Sequence, residues 1–147
     1  MARTPSGPTL WLALLRTTQA MDRVAQQSMQ EAGLGFSDFV LLEALLHVGA
    51  QTPSALAEKV GLTSGSITAA IDRLETRGLV GRRANPADLR SRIVELSDAG
   101  RALIEPAYAR HAKDIESLFS RSFTAEQRRE LFDLLSTLRK TAREETP

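Results

Sequence analysis

Arg73, Arg77, Arg82, Arg83, Arg90 and Arg92 crowd one stretch of a chain whose formal net charge is only +1. A guanidinium is planar, permanently charged and forked, so it matches phosphate oxygens in pairs. Concentrating such groups on one face of a nearly neutral chain is how a nucleic-acid surface is built. Beside them lie hydroxyls and small side chains: Ser54, Ser64, Ser66, Thr68 and Ala69. Ser66 and Thr68 can donate to or accept from base edges, and the Ala69 methyl can meet thymine. Ser54 and Ser64 stand where helices are expected to begin, beside backbone N–H groups that hold phosphates. A second reading stays open. The same arginines suit acidic partners on a protein-interaction module without sequence-specific DNA binding, and the uncharged Ala69 favours that view. A surface of ordinary solvated arginines is the plainest alternative.

Catalytic chemistry has no comparable foothold. His47 and His111 are far apart and lack metal-ligand spacing. Gly61, Gly65 and Gly78 punctuate helices and form no phosphate loop, and no serine has a nucleophile-elbow setting. The chain has no cysteine, which removes disulfides, thiolate metal sites and a thiol oxidation switch. No enzyme, metal or cofactor is expected.

The elements that must position the arginines can be read from local chemistry. Thr52-Pro53 starts a short helix with Leu56, Ala57 and Val60 on its apolar side, and Gly61 stops it. Thr63 caps a second helix, expected from Ser64 to Arg77. Its stripe is Ile67, Ala70, Ile71 and Leu74, at i, i+3, i+4 and i+7. The opposite side carries Gly65, Thr68, Ala69, Asp72 and Thr76, smooth enough to enter a major groove. Helices joined by so tight a turn form a helix-turn-helix. After Gly78, an extended stretch from Leu79 to Ala84, a turn at Asn85-Pro86 and a return through Ile93, Val94 and Leu96 make a ribbon. Arg90 stands near its tip, suited to a narrow, negative minor groove, and Arg92 follows to hold its phosphates. Arg73 is expected to contact a phosphate or to pair with Asp88 and brace the ribbon.

The run TPSALAEKVGLTSGSITAAIDRLETRGLVGRRANPADLRSRIVELSDAG resembles the winged helix-turn-helix of the MarR family of bacterial transcription regulators. Leu56-Ala57, Asp72–Glu75, Gly78–Val80 and the D-x-R of Asp88–Arg90 follow the family's order and spacing. Ala69 and Leu89 stand where the family often has arginine. The resemblance implies a homodimer on a pseudopalindromic operator of double-stranded DNA. It also implies release by a small aromatic or phenolic ligand in a cleft, where Trp11 and His47 are the candidate contacts. An ordinary histidine at a helix C-terminus and an interface tryptophan are the plainer readings of those two.

A chain of 147 residues with 42% apolar residues is one domain with helical extensions. The expected fold is mainly α, a winged helix-turn-helix with a two-stranded β wing. Residues 34–97 form the DNA-binding region, residues 9–33 and 98–147 a helical dimerisation region, and residues 1–8 a flexible tail. In that tail prolines and a glycine leave little to bury. Thr9 is expected to cap the first helix, and Ser37 the next, with Phe36 stapling onto Leu41. Ser97 caps a long helix that Pro106 should kink or delay. Thr124 and Gln127 make a capping box for a last helix striped by Leu131, Leu134, Leu135 and Leu138. A monomeric helical bundle is the alternative to the dimer. No apolar run spans a bilayer and no signal-peptide pattern is complete, so the chain is expected in the cytoplasm.

Overall fold

The structure, a computed structural model, describes residues 4–145. Its elements are α1 (Gly7–Glu31), α2 (Phe36–Val48), α3 (Pro53–Val60), α4 (Ser64–Thr76), β1 (Val80–Ala84), β2 (Arg92–Leu96), α5 (Asp98–Ser122) and α6 (Ala125–Glu144). The chain divides into two compact units, one reaching His111 and one starting at Ala112.

The first unit is built around α2. That helix is apolar on nearly every side, and Phe39, Leu41, Leu42 and Leu45 are essentially inaccessible to solvent. Leu56 of α3, Ile67, Ile71 and Leu74 of α4, Val94 of β2 and Ile104 of α5 close over them. Each fully buried aliphatic side chain contributes about 1.5–3 kcal/mol relative to exposure. The i, i+3, i+4, i+7 stripe of α4 is therefore its inward face, which leaves Gly65, Thr68, Ala69, Asp72 and Thr76 in solvent. Gly61 ends α3 at φ +68°, a left-handed backbone that favours glycine, and so permits the tight turn into Thr63. The Thr63 hydroxyl then accepts from the Ser66 N–H at 3.1 Å.

β1 and β2 pair antiparallel, with Val80 opposite Leu96 and Ala84 opposite Arg92. The ribbon has a third point of attachment that no sequence pattern announces. Gln51, before α3, exchanges both backbone hydrogen bonds with Val94, at 3.0 and 2.8 Å. Behind the ribbon, Gly100 of α5 lies against the Leu79 backbone. A Cβ there would stand 1.9 Å from the Leu79 carbonyl oxygen.

Several helix starts differ from expectation. Ser6, not Thr9, caps α1; its hydroxyl accepts from the Thr9 N–H at 3.4 Å, and Pro8 fits the first turn because no N–H is needed there. The expected tail of residues 1–8 thus yields Ser6, Gly7 and Pro8 to the helix start, and its residues 1–3 lie outside the described residues. Gly35 is the N-cap of α2, so Ser37 is inside the helix, and Phe36 stays half-exposed without forming a staple. Asp38 takes the first-turn position, where a carboxylate meets the positive helix end. α5 begins at once after Ser97, whose hydroxyl accepts from the Gly100 N–H at 2.9 Å, and it runs through Pro106 without a break.

The second unit holds the end of α5 and the whole of α6. The Thr124–Gln127 capping box forms with both hydrogen bonds in place. Arg128 pairs with Glu116 at 2.6 Å. The Ser120 hydroxyl, and then Arg128, hold the Glu116 carboxyl below its ordinary range. No residue of α6 is buried, and Phe132, Leu134, Leu135 and Leu138 are exposed. Among the described residues, no helix is long and apolar enough to cross a membrane.

Candidate nucleic-acid interface

The arginine-rich stretch separates into side chains committed to the fold and side chains that are not. Arg73 donates to Asp38 at 2.6 Å, and that hydrogen bond raises its pKa above the ordinary value. Asp38 is almost fully buried at the start of α2, so this contact ties α4 to the core helix. The expected Arg73–Asp88 pair is not formed, because Asp38 presents its carboxylate directly to α4. Arg77, the C-cap of α4 one turn further on, donates to the Gly33 carbonyl at 3.2 Å and adds a second tie at the same end of the helix. Arg82 of β1 reaches back to α4, donating to Asp72 at 2.5 Å and also to Glu75. The Asp72 hydrogen bond is the main reason its pKa is raised. Arg83 pairs with Glu95 across the ribbon at 2.9 Å.

Arg90 and Arg92 are exposed, and neither side chain forms an ion pair or hydrogen bond among the described residues. The turn that carries Arg90 is closed by its own hydrogen bonds. The Asn85 side chain accepts from the Ala87 N–H at 3.0 Å, and Asp88 Oδ1 accepts from the Arg90 N–H at 3.0 Å. The Asn85 amide donates to the Ser91 hydroxyl at 2.8 Å. Asp88 thus stiffens the tip from within.

On α4 the hydroxyls are partly spoken for. Thr68 donates to the Ser64 carbonyl at 2.8 Å, which leaves its oxygen as an acceptor. Ser66 accepts from the Thr63 hydroxyl at 2.9 Å, which leaves its own proton to donate. Ser54, exposed in the first turn of α3, lies 3.3 Å from the Thr52 hydroxyl. Ser64 and Ala69 are exposed on α4. The first unit therefore presents a smooth outer face of α4, donors and acceptors of defined sense, and two unpaired cations on the hairpin that Arg82 ties to that helix.

The proposed ligand contacts are less developed. His47, exposed near the end of α2, stacks edge-on against Tyr108 of α5, with ring centroids 4.5 Å apart. Trp11 is 66% exposed on α1. A shallow concavity on the second unit, lined by Ala125, Arg128, Arg129, Phe132 and Asp133, includes neither residue. Among the described residues, no group of three or more His, Asp or Glu side chains is placed to hold a metal.

Comparison with known proteins places this arrangement. The model of the MarR family matches residues 37–91, from the start of α2 to the wing turn. The HTH-type transcriptional regulator MhqR of Bacillus subtilis is 31% identical over 111 residues, 76% of this chain and 77% of that protein. A mutant MarR of E. coli complexed with operator DNA has a TM-score of 0.80 at 25% identity, over 88% of this chain and 92% of that one. BpsR of Bordetella bronchiseptica, whose DNA binding is regulated by 6-hydroxynicotinic acid, has a TM-score of 0.77 at 26% identity, over 88% of this chain and 97% of that one. Together with the winged helix-turn-helix itself, these similarities place the chain in the MarR family of DNA-binding transcription regulators.

Proposed function

We propose that the protein is a homodimeric repressor that binds a pseudopalindromic operator in the cytoplasm. α4 enters the major groove. Thr68 accepts from an adenine or cytosine amino group, Ser66 donates, and the Ala69 methyl meets thymine. Arg90 enters the adjacent minor groove, Arg92 holds its phosphates, and Ser54 and Ser64 hold phosphates at helix starts. Arg73 acts from behind, keeping α4 on α2 through Asp38. The dimerisation region is residues 9–33 and 98–147. A twofold dimer would set its recognition helices about 34–36 Å apart, one turn of DNA.

The observation that carries this reading is the division of the arginines. Arg73, Arg77, Arg82 and Arg83 each have a partner within the fold, while Arg90 and Arg92 have none among the described residues and stand exposed on the hairpin that Arg82 ties to α4. Gel shifts on random duplexes at low and moderate salt test it. Binding that falls steeply with salt is expected, the mark of phosphate neutralisation. Salt-independent binding, or none, would leave the protein-interaction module as the better account.

Release by a small aromatic acid belongs to the same proposal, with Trp11 and His47 as contacts. The edge-on His47–Tyr108 pair would give such a ligand an aromatic wall, and the regulation of BpsR by 6-hydroxynicotinic acid is a parallel. Aromatic acids that raise the melting temperature and weaken DNA binding are expected, with both effects reduced by Trp11→Ala or His47→Ala. A broad set of such acids that does neither removes the switch.

A further inference from the structure

We infer that Leu89 is an apolar wedge that the wing carries into the DNA minor groove beside Arg90. The inference rests on the DNA-binding reading above and adds to it a contact that no charge explains. Leu89 is 87% exposed, more than any other large hydrophobic side chain among the described residues. A single exposed leucine on an ordinary surface needs no explanation. This one differs in its placement. The chain immediately around it is fastened on both sides: the Asp88 N–H donates to the Asn85 carbonyl at 3.2 Å, and the Ser91 N–H and hydroxyl donate to the Asp88 carbonyl at 3.0 and 3.1 Å. The turn therefore cannot fold Leu89 back onto the protein without breaking these bonds. Its neighbour Arg90 and the nearby Arg92 are free cations.

The occupant follows from those neighbours. Unpaired guanidinium groups draw the tip toward phosphates and the negative floor of a minor groove. Wherever Arg90 goes, Leu89 must go with it. Minor-groove walls are deoxyribose, which is apolar, and leucine is among the side chains that wedge into this groove. An arginine at the same position would add attraction that salt screens. Leucine instead adds attraction that depends on buried apolar area and is indifferent to salt. The wing would then read the groove by charge at Arg90 and by shape at Leu89.

The test uses a duplex selected from a random pool by the parent protein, with affinity measured across a salt series. Leu89→Ala is expected to keep the parent melting temperature and to bind about ten- to thirtyfold more weakly as a dimer, the loss of part of a buried leucine at each wing. Its salt slope should equal the parent's. Leu89→Met should retain most of the affinity, since apolar volume is kept. Leu89→Arg should steepen the salt dependence by about one counterion per wing. Equal affinity of Leu89→Ala and parent overturns the inference while leaving DNA binding in place. So does a loss in Leu89→Ala that comes with a shallower salt slope. A parent that selects no duplex from the pool overturns the DNA-binding reading itself, and the inference with it.

Discussion

Arg82 and Arg90 carry the same side chain on the same hairpin, yet their surroundings give them opposite work. Arg82 is half-buried and holds Asp72 and Glu75 of α4, so the wing and the recognition helix are clamped together. Arg90 is exposed and its guanidinium is free. Arg90→Ala should leave the melting temperature unchanged, as expected for an exposed charge. It should weaken operator binding by about 1–3 kcal/mol per inserted arginine and make the salt slope of a dimer shallower by about two units. Unchanged affinity and slope in titrations would remove the wing from the interface. Arg82→Ala should do the reverse: a stability loss of about 1 kcal/mol in urea unfolding, since two carboxylates lose one partner. The salt slope should change less than in Arg90→Ala. Thr68 belongs to a third kind, because its donated hydrogen bond fixes its oxygen as an acceptor. Thr68→Val should alter the preference among operator variants at one base pair by about 1–3 kcal/mol while leaving the salt slope alone. Parent-like ranking of all variants would place Thr68 outside base readout. The sequence showed where arginines accumulate but not which were already engaged. That depends on Asp38, Asp72, Glu75 and Glu95, which reach the cluster only in three dimensions. Hence the sequence offered Asp88 as the partner of Arg73, and the carboxylate it meets is that of Asp38.

Elements with strong local signals were legible in the chain itself. The α4 stripe, the Thr63 cap, the Thr124–Gln127 capping box and both wing strands follow from periodicity and end chemistry, and each is in the structure. Starts with competing signals were not. Ser6 and Thr9 both offer a capping hydroxyl, and Gly35 and Ser37 both stand before the apolar run of α2; the helices start at the earlier residue of each pair, with Pro8 in the first turn of α1. Pro106 did not delay the helix, which begins at Asp98 and continues past it to Ser122. Contacts between elements left even less trace. Gln51 pairs with Val94 as an isolated bridge, which has no periodicity to detect. Gly100 reads as an ordinary residue early in α5, yet it decides how near α5 comes to the Leu79 carbonyl. An added methyl there has backbone, not a flexible side chain, in its way. Gly100→Ala should therefore destabilise the first unit by about 3 kcal/mol or more, despite alanine's better helix propensity. Thermal or urea unfolding measures it. A neutral or stabilising effect would mean that α5 slides on the ribbon without cost.

At the scale of the whole molecule, the apolar side chains left in solvent exceed what single scattered residues explain. Leu10, Trp11, Leu12 and Leu15 are exposed on α1, and Phe132, Leu134, Leu135 and Leu138 on α6. α6 has no buried residue at all, although it has 20 residues and a complete N-terminal capping box. Most helical stability in proteins comes from packing an apolar face rather than from propensity. A second copy of the chain would supply such packing, which is why the dimer is proposed as the folded form. Two consequences can be measured. The parent's melting temperature should rise with protein concentration, because association stabilises only the folded state. Leu135→Glu should place a charge on the α6 face, and it should yield monomers of lower helical content by light scattering and circular dichroism. The buried core lies wholly within the first unit, so the variant should retain the Thr63-capped α4 and its packing while losing tight operator binding, since one half-site is then read at a time. If Leu135→Glu remains a dimer of full helicity, α6 lies outside the interface and the apolar residues of α1 must carry it. If the parent's melting temperature is also independent of concentration and the parent scatters as a monomer, the homodimer is excluded. DNA binding would then have to be explained by one recognition helix and one wing.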